Sequence, residues 1–329
     1  MKEQAIIIGA GPCGLAAAVE LKRAGINPLI IEKGTLVNSI YQYPTYMIFH
    51  STAPRLEIGD IPFTTPNEKP TRLEGLNYYR TVANRYELRT RLFETVTSVE
   101  RTGSGFALHT VDRFQQNHTY QTDNVIIATG YFDHPNRLNV PGENLPKVFS
   151  LYKEAHPFAG QKVAIVGGNN SAVDAALDLE RVGAEVTVIM RGSQISERVK
   201  SWVRPVFESA VNNGRIRLLL SSSVTEIADR YIRVNANGEP LTLENDFVFT
   251  LIGFRPDRTM LHSLGVETDP ETGVPRFDEQ TMETNVPGVF IAGVIAAGNH
   301  ANAIFIENGR FHGKLIADYL AAKGTQLEK

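Results

Sequence analysis

Short apolar runs alternate with amphipathic stretches at the start of the chain, and this alternation predicts a strand–helix–strand unit. The run Ala5–Ile8 precedes a stretch with helical spacing, Leu15–Ala24, and a second apolar run follows at Leu29–Ile31. Apolar runs of this length between turn residues are typical of strands buried on both faces of a parallel sheet. Gly25 can adopt the left-handed conformation that ends a helix. The chain therefore opens with a predicted βαβ unit.

The same pattern occurs a second time further along the chain. Residues 162–191 repeat residues 4–33 without a gap, with Gly9 opposite Gly167 and Gly25 opposite Gly183. The second copy predicts strands at 163–166 and 186–190 around a helix at 172–182. A repeat that contains a complete βαβ unit indicates two nucleotide-binding units on one chain.

The rest of the chain completes two sheets and adds a final helix. Apolar runs predict strands at 125–128, 247–253 and 289–293, and helical spacing predicts a long helix over 302–322 that is broken only by Gly309 and Gly313. Polar stretches at 136–143 and 254–257 predict hinges. We therefore expect an α/β fold with two Rossmann-like dinucleotide-binding domains, the second inserted in the first. The expected outer domain is 1–142 with 257–329, and the inserted domain is 143–256.

A glycine-rich turn joins the first predicted strand to the first predicted helix. Gly9, Gly11 and Gly14 form the pattern GxGxxG, and Glu32 ends the second predicted strand. Such glycines let the backbone approach a pyrophosphate, whose charge the helix N-terminus stabilises. The carboxylate is placed to accept hydrogen bonds from a ribose. The turn alone is weak evidence, but its spacing with strand, helix and acid predicts a dinucleotide site.

The second unit differs from the first at two informative positions. Asn169 replaces the middle glycine; asparagine tolerates a left-handed backbone, and its amide can donate to a phosphate. Met190 stands where the first unit has Glu32, and Arg191 follows it. A missing acid beside an arginine favours a 2′-phosphate, and therefore NADPH over NADH. The alternative is that Arg191 is a solvated charge at a strand end. Further candidate cations for the phosphate are Arg198 and Lys200.

Composition excludes several classes of protein. With Lys+Arg 33 and Asp+Glu 36, the net charge is −3, which lacks the basic surplus of a nucleic-acid binder. The single cysteine, Cys13, excludes an intramolecular disulfide, a zinc ribbon and a CxxC dithiol, and it favours a reducing cytoplasm. No uninterrupted apolar run reaches the ~20 residues that span a bilayer. We therefore expect a cytoplasmic protein with neither a nucleic-acid partner nor a membrane association.

Several motifs together resemble the thioredoxin-reductase-like flavoproteins that bind two dinucleotides. They are GxGxxG with Glu32, TVTSV at 95–99, IATG at 127–130, GGNNSA at 167–172, TLIGFRPD at 250–257 and TNVPGVFIAGV at 284–294. Three features resemble the narrower bacillithiol-disulfide reductase family: the cysteine in GAGPCG, SIYQYPTYMIFHSTAPRLEIGDIPF at 39–63, and AGNHANAIFIENGRFHG at 297–313. The resemblance covers essentially the whole chain. It implies FAD in the outer domain, NADPH in the inserted domain, and reduction of a low-molecular-weight disulfide.

The resemblance also implies individual cofactor contacts. For FAD they are Gly9, Gly11, Pro12, Cys13, Gly14, Glu32, Lys33, Tyr41, Tyr46, His50, Ser51, Val96, Thr129, Gly130, Gly293, Val294, Ala303 and Ile304. For NADPH they are Gly167, Gly168, Asn169, Asn170, Ser171, Ala172 and Arg191. A helix starting at Ala303 and Ile304 would direct its N-terminus at the flavin ring. Val294 stands where many members of the broad family have an aspartate, and the inserted domain lacks their CxxC.

Cys13 and His300 are the candidate catalytic residues. The resemblance implies that the Cys13 thiol attacks the disulfide, and its place at a helix N-terminus favours the thiolate by ~0.3–1 kcal/mol. A phosphate charge at ~5 Å opposes this by about 3 kcal/mol at an effective dielectric of ~20. The alternative is a small structural residue, like its counterpart Ser171. His300 precedes the final predicted helix and could protonate a leaving thiolate, and a surface histidine is the alternative.

Three functions stay open on the sequence. The first is an NADPH-dependent FAD oxidoreductase that reduces a low-molecular-weight disulfide, with bacillithiol disulfide as the expected substrate. The second is an NADPH–ferredoxin or flavodoxin reductase with a redox protein as its partner. The third is a redox sensor that binds NADPH without turnover. We expect the first of these, in a homo-oligomer.

Overall fold

A computed structural model describes residues 2–300 and 302–327, and it divides into two compact units. The first unit takes in the chain up to Tyr41, Met47–His134, and the chain from Phe254 onward. The second takes in Gln42–Tyr46 and Pro135–Gly253, so it is inserted in the first. The binding-domain boundaries expected at 142 and 257 stay a prediction.

The chain before residue 135 forms most of the first unit. Its elements are β1 (Lys2–Ile8), α1 (Pro12–Arg23), β2 (Leu29–Glu32), α2 (Asn38–Gln42), α3 (Ala53–Leu56), α4 (Arg72–Arg85), β3 (Arg89–Leu92), β4 (Glu94–Thr102), β5 (Gly105–Asp112) and β6 (Asn117–Ile127). The apolar end of β1, Ala5–Ile8, is buried, as a strand covered on both faces of its sheet requires.

The second unit contains a parallel sheet and a small antiparallel sheet. Its elements are β7 (Val148–Phe149), β8 (Lys162–Val166), α5 (Asn170–Arg181), β9 (Glu185–Ile189), α6 (Arg204–Asn212), β10 (Ile216–Leu219), β11 (Ser222–Ile227), β12 (Tyr231–Ala236), β13 (Glu239–Glu244) and β14 (Phe247–Thr250). The parallel sheet has the order β10-β9-β8-β14-β7, and the antiparallel sheet has the order β11-β12-β13.

The C-terminal part of the chain returns to the first unit. It forms α7 (Thr259–Ser263), β15 (Val289–Ile291), a 3-10 turn (Gly293–Ala297), α8 (Ile306–Gly309) and α9 (His312–Leu327). The sheet of this unit has the order β3-β2-β1-β6-β5-β4, and β15 pairs with β6. The pairs β1–β2, β1–β6 and β6–β15 are parallel, so these four strands end at the same edge of the sheet.

The expected α/β fold with two Rossmann-like units is confirmed, but the helix expected over 302–322 is right only in part: it starts at Ile306, breaks after Gly309 as expected, and continues through Gly313 without the second expected break. The structure has two helices, with α8 beginning at Ile306 and α9 at His312. Asn308 accepts a hydrogen bond from the Phe305 N–H (2.8 Å) and donates to the Ala303 carbonyl (2.9 Å). Such local side-chain bonds compete with helical ones, and they close a turn before α8.

Candidate functional site

Four loops meet at the edge of the sheet where β1, β2, β6 and β15 end. They carry Gly9, Glu32, Thr129 and Gly293, each of which the sequence predicts to contact a cofactor. The Gly9 N–H donates to the Ile31 carbonyl at 2.8 Å, which fixes the start of the glycine-rich turn against β2. Ligands of open α/β sheets bind outside the carboxyl ends of the strands, so this edge is the candidate site of the first unit.

Two glycines of the turn pack so tightly that a larger residue would not fit. A Cβ added at Gly9, where φ is +109°, would lie 2.5 Å from the Ala128 carbonyl oxygen. A Cβ added at Gly14 would lie 2.1 Å from the Gly9 carbonyl oxygen. Gly11 directly precedes α1. A Cβ added at Gly11 would have no atom of the described residues within 4 Å. The space beside Gly11 at this helix N-terminus therefore fits a pyrophosphate.

Glu32 ends β2 with its carboxylate inside the same loop. One oxygen accepts the Ala10 N–H at 2.8 Å and the other accepts the Gly34 N–H at 2.7 Å. Burial raises the pKa of Glu32, and the two backbone hydrogen bonds oppose that rise. A carboxylate has about four acceptor positions, so about two remain for the hydroxyls of a ribose. The arrangement fits the nucleotide half of a dinucleotide.

Other predicted FAD residues lie in the first unit but outside this loop. Lys33 forms an ion pair with Asp133. Thr129 is exposed two residues after the end of β6, and Gly130 has a φ of +70°. Val96 lies in β4 opposite Thr110, beside a bulge in the pairing with β5. The positions of these residues are compatible with cofactor contacts, which stay a prediction.

The segment expected to cover the flavin is divided between the two units. Tyr41, His50 and Ser51 belong to the first unit, whereas Tyr46 belongs to the second. The Thr45 N–H donates to the Lys153 carbonyl at 3.0 Å, which ties this part of the segment to the second unit. Burial, together with nearby aspartates of α5, raises the pKa of the Tyr46 hydroxyl. The structure therefore does not bring Tyr46 together with the other three in one unit.

Cys13 is the second residue of α1, and its thiol points at the C-terminal part of the first unit. A Cβ added at Gly293 would lie 3.1 Å from Sγ, and a Cβ added at Gly309 would lie 2.9 Å from it. Burial raises the pKa of Cys13 from 9.0 to about 12. A thiol with this pKa keeps its proton at physiological pH.

The residues expected around the flavin ring differ from the prediction in their backbone. Ala303 and Ile304 precede α8 instead of starting a helix, because the turn that Asn308 closes occupies these positions. Contrary to expectation, Ala303 and Ile304 therefore do not form a helix N-terminus that could be directed at a flavin ring. His300 is exposed in the turn before them, and Val294 is half-buried in the 3-10 turn.

One residue of this region was missed by reasoning from the sequence. His312 begins α9, and its Nδ1 accepts the Gly293 N–H at 3.1 Å. Burial lowers the pKa of His312, which keeps the ring neutral and Nδ1 free to accept. The residues lie far apart in sequence, and a histidine at a helix start carries no pattern that points to this partner.

The second unit repeats the loop geometry of the first. The Gly167 N–H donates to the Ile189 carbonyl at 3.1 Å, as Gly9 does to Ile31. A Cβ added at Gly167 would lie 2.4 Å from the Leu251 carbonyl oxygen, and φ at Gly167 is +149°. Gly168 faces the Met190 side chain, and Ala172 is fully buried at the start of α5.

Asn169 and Asn170 differ in what they do at the start of α5. Asn169 precedes the helix with a φ of −104°, so its backbone is extended and the left-handed tolerance expected of it is not used. Asn170 donates to the Arg198 carbonyl at 3.0 Å and accepts the Lys200 N–H at 2.9 Å. Ser171 follows on the exposed side of the helix. Asn170 therefore fixes the segment that carries two of the candidate cations.

The three candidate cations have different surroundings. Arg191 follows β9 and is exposed, and Arg198 is exposed as well. Lys200 forms an ion pair with Asp174 of α5 at 3.1 Å, so part of its charge is already compensated. Both arginines are accessible to a 2′-phosphate, which fits NADPH.

Residues 2–300 and 302–327 form neither a candidate metal centre nor a membrane-spanning helix. No group of three or more His, Cys, Asp or Glu side chains in this part of the chain could hold a metal ion. Its helices are too short or too polar to cross a membrane.

The fold and these loops define a protein with two dinucleotide-binding units on one chain. The family model described as pyridine nucleotide-disulphide oxidoreductase matches residues 6–293, and the chain belongs to this family. The expected flavin- and nicotinamide-dependent oxidoreductase is thereby confirmed, with FAD and NAD(P)H as the cofactors of this family.

Individual proteins match over nearly the whole chain. Bacilliredoxin reductase Bdr of Bacillus subtilis is 52% identical over 326 residues, which is 98% of this chain and 99% of that protein. The structure of bacillithiol disulfide reductase Bdr from Bacillus cereus is 50% identical, with a TM-score of 0.95 over 98% of this chain and 100% of that one. The Staphylococcus aureus enzyme of that name is 46% identical, with a TM-score of 0.92 over 98% and 99% of the two chains.

Proposed function

We propose that this oxidoreductase uses NADPH and FAD to reduce bacillithiol disulfide, a low-molecular-weight disulfide. The observation that carries the proposal is the match to the Bacillus cereus enzyme, at a TM-score of 0.95 and 50% identity over nearly all of both chains. Reduction of a disulfide takes two electrons and two protons, so one NADPH and one proton convert one disulfide to two thiols.

The first unit is proposed to hold FAD. Gly9, Gly11 and Gly14 would surround the pyrophosphate at the start of α1, and Glu32 would accept the ribose hydroxyls with its remaining lone pairs. When bound, FAD supplies the two-electron chemistry that links NADPH to sulfur. The chain's part is to bind and orient the cofactor and to hold Cys13 in place beside it.

The second unit is proposed to hold NADPH. The turn from Gly167 to Ala172 would approach the pyrophosphate, as the corresponding turn does in the first unit. Arg191 is proposed as the main partner of the 2′-phosphate, with Arg198 as the second cation. Lys200 is less suitable because Asp174 already compensates its charge.

Cys13 is proposed as the thiol that exchanges with the substrate. Its thiolate would attack one sulfur of the disulfide, forming a mixed disulfide and expelling one thiolate. Two electrons from NADPH then cleave the mixed disulfide, which releases the second thiol and restores Cys13. A pKa of about 12 leaves only about one thiolate in 10⁵ at pH 7, so substrate binding must also assist proton removal. Cys13→Ser tests the step: flavin reduction by NADPH should persist while disulfide turnover collapses, and persistent turnover would make the thiol structural.

The proposed function is tested by anaerobic reduction of the purified protein with NADPH, followed by a panel of acceptors. Bacillithiol disulfide should reoxidise the flavin faster than glutathione disulfide or cystine. Ferredoxin belongs in the panel because its preferential reduction would favour the electron-transfer function. If NADPH fails to bleach the flavin absorbance band, the protein is not a reductase.

A second candidate substrate is a protein disulfide. The Bacillus subtilis relative is named a bacilliredoxin reductase, at 52% identity, which favours a small thiol protein as an additional acceptor. NADPH oxidation with oxidised bacilliredoxin, measured without free bacillithiol, separates the two substrates, because only reduction of the protein disulfide itself can then consume NADPH. We also propose a homo-oligomer in a reducing compartment, and light scattering of the purified protein tests its oligomeric state.

A further inference from the structure

The backbone N–H of Gly293 is the first group beyond the sheet at the end of β15. The preceding residue, Ala292, still donates to the Ile127 carbonyl of β6 at 3.0 Å. Gly293 is buried, with a φ of +79°. A buried N–H without a partner is rare in folded proteins, and this one donates to Nδ1 of His312 at 3.1 Å.

The α-carbon of Gly293 lies beside the cysteine. A Cβ added at Gly293 would lie 3.0 Å from Cβ and 3.1 Å from Sγ of Cys13. A Cβ added at Gly309 would lie 3.2 Å from the Gly293 Cα. Gly293 is therefore held between the His312 ring and the Cys13 thiol.

The position of His312 relative to Cys13 is fixed by the crossing of two helices. His312 begins α9, and the next residue is Gly313. A Cβ added at Gly313 would lie 2.4 Å from the Cα of Ala17 in α1, the helix that also carries Cys13. This backbone contact allows little sliding of α9 along α1. It therefore fixes the distance between His312 and Cys13, the two residues that Gly293 contacts.

We infer that His312 is a positioning residue: its Nδ1 holds Gly293 against the Cys13 thiol and thereby shapes the wall of the proposed reaction site. The inference rests on the proposed function of that site. An Nδ1 that accepts a hydrogen bond requires the proton of the neutral ring on Nε2. Burial, which lowers the pKa of His312, favours this neutral form.

Three variants test the hydrogen bond itself. His312→Asn places an amide oxygen near the position of Nδ1 and should preserve the acceptor. His312→Gln carries its polar group further out, and His312→Ala has none, so both leave the Gly293 N–H unpaired. His109→Asn, at a half-buried position in β5, is the matched control for loss of a histidine.

The readout is the rate at which iodoacetamide alkylates Cys13. Intact mass spectrometry detects the added group, on protein whose FAD content has been measured. Because Cys13 is the only cysteine, every added group reports on it. We expect His312→Ala and His312→Gln to raise the rate roughly tenfold, as loss of a buried hydrogen bond implies, and His312→Asn and His109→Asn to match the wild type. The KM for NADPH should not change in the His312 variants. A wild-type rate in His312→Ala, or equal rates in His312→Asn and His312→Ala, would overturn the inference.

A measurement on the wild type covers the case in which a variant does not fold. Nitrogen NMR of protein labelled in histidine should assign His312 to the tautomer with its proton on Nε2. A proton on Nδ1 would overturn the inference. Neither measurement depends on disulfide turnover, so failure of the proposed substrate and failure of this inference give different results.

Discussion

The thiol of Cys13 packs against Gly309: a Cβ added to the glycine would lie 2.9 Å from Sγ. The contact joins the first turn of α1 to the last residue of α8, across nearly the whole chain. It places the only cysteine against the C-terminal part of the first unit and leaves no room for a side chain at position 309.

Gly309→Ala should therefore destabilise the protein although alanine is the better helix former. The added methyl meets Sγ and the Gly293 backbone, and overpacking of this kind costs about 1–3 kcal/mol, against about 1 kcal/mol gained in helix propensity. Chemical denaturation measures the change in the free energy of unfolding. Gly103→Ala is the control because no described atom lies within 4 Å of its added Cβ. The packing account fails if Gly309→Ala is as stable as that control, or if adding Cys13→Ala to Gly309→Ala recovers none of the lost stability.

Gly11 and Gly14 should respond to alanine in opposite ways. At Gly11 the added methyl meets no described atom within 4 Å and the φ of −71° suits alanine, so the stability of the FAD-free protein should change by less than about 0.5 kcal/mol. FAD retention should fall at least tenfold, because the methyl occupies the space proposed for the pyrophosphate. Gly14→Ala should instead destabilise the FAD-free fold, since its methyl would lie 2.1 Å from the Gly9 carbonyl. Unchanged FAD binding by Gly11→Ala would place the cofactor elsewhere.

Arg191→Ala should raise the KM for NADPH roughly tenfold while the KM for NADH stays the same, since only the contact with the 2′-phosphate is lost. Steady-state reduction of an artificial electron acceptor measures both values. Arg198→Ala, a change at a second exposed arginine, should have a smaller effect. Equal losses with the two nicotinamides would show that Arg191 has a structural role.

The pKa of about 12 at Cys13 predicts how the FAD-free protein responds to pH. Alkylation by iodoacetamide should be about a thousandfold slower in the folded than in the unfolded protein at pH 8, because the thiolate is the reactive form. The folded state holds the thiol proton to a higher pH than the unfolded chain does. The free energy of unfolding should therefore fall as pH rises above about 9, and Cys13→Ser should lack this fall. Alkylation at the unfolded rate would contradict the burial of the thiol.

Features that depend on neighbouring residues in the sequence were predicted well. The two βαβ units follow from apolar runs, helical spacing and glycines, and the structure has β1, α1 and β2 where the pattern indicated them. Glu32 ends β2, as the same pattern indicated, and its contact with a ribose stays a prediction.

Features that depend on contacts between distant segments could not be predicted. The start of α8 at Ile306 rather than at 302 depends on the turn that Asn308 closes, which does not change the apolar spacing of that segment. The hydrogen bond from Gly293 to His312 is equally non-local. The division of Tyr41 and Tyr46 between the two units is also non-local, because a backbone hydrogen bond of Thr45 attaches that part of the segment to the second unit; the contact of Tyr46 with FAD stays a prediction.

The stoichiometry of the anaerobic reaction tests the central claim most directly. Purified protein containing FAD is mixed with NADPH and an excess of bacillithiol disulfide, and the NADPH consumed is compared with the thiol formed. The account predicts two thiols for each NADPH oxidised, at a rate that depends on the protein. NADPH oxidation without thiol formation, or no oxidation at all, would contradict it.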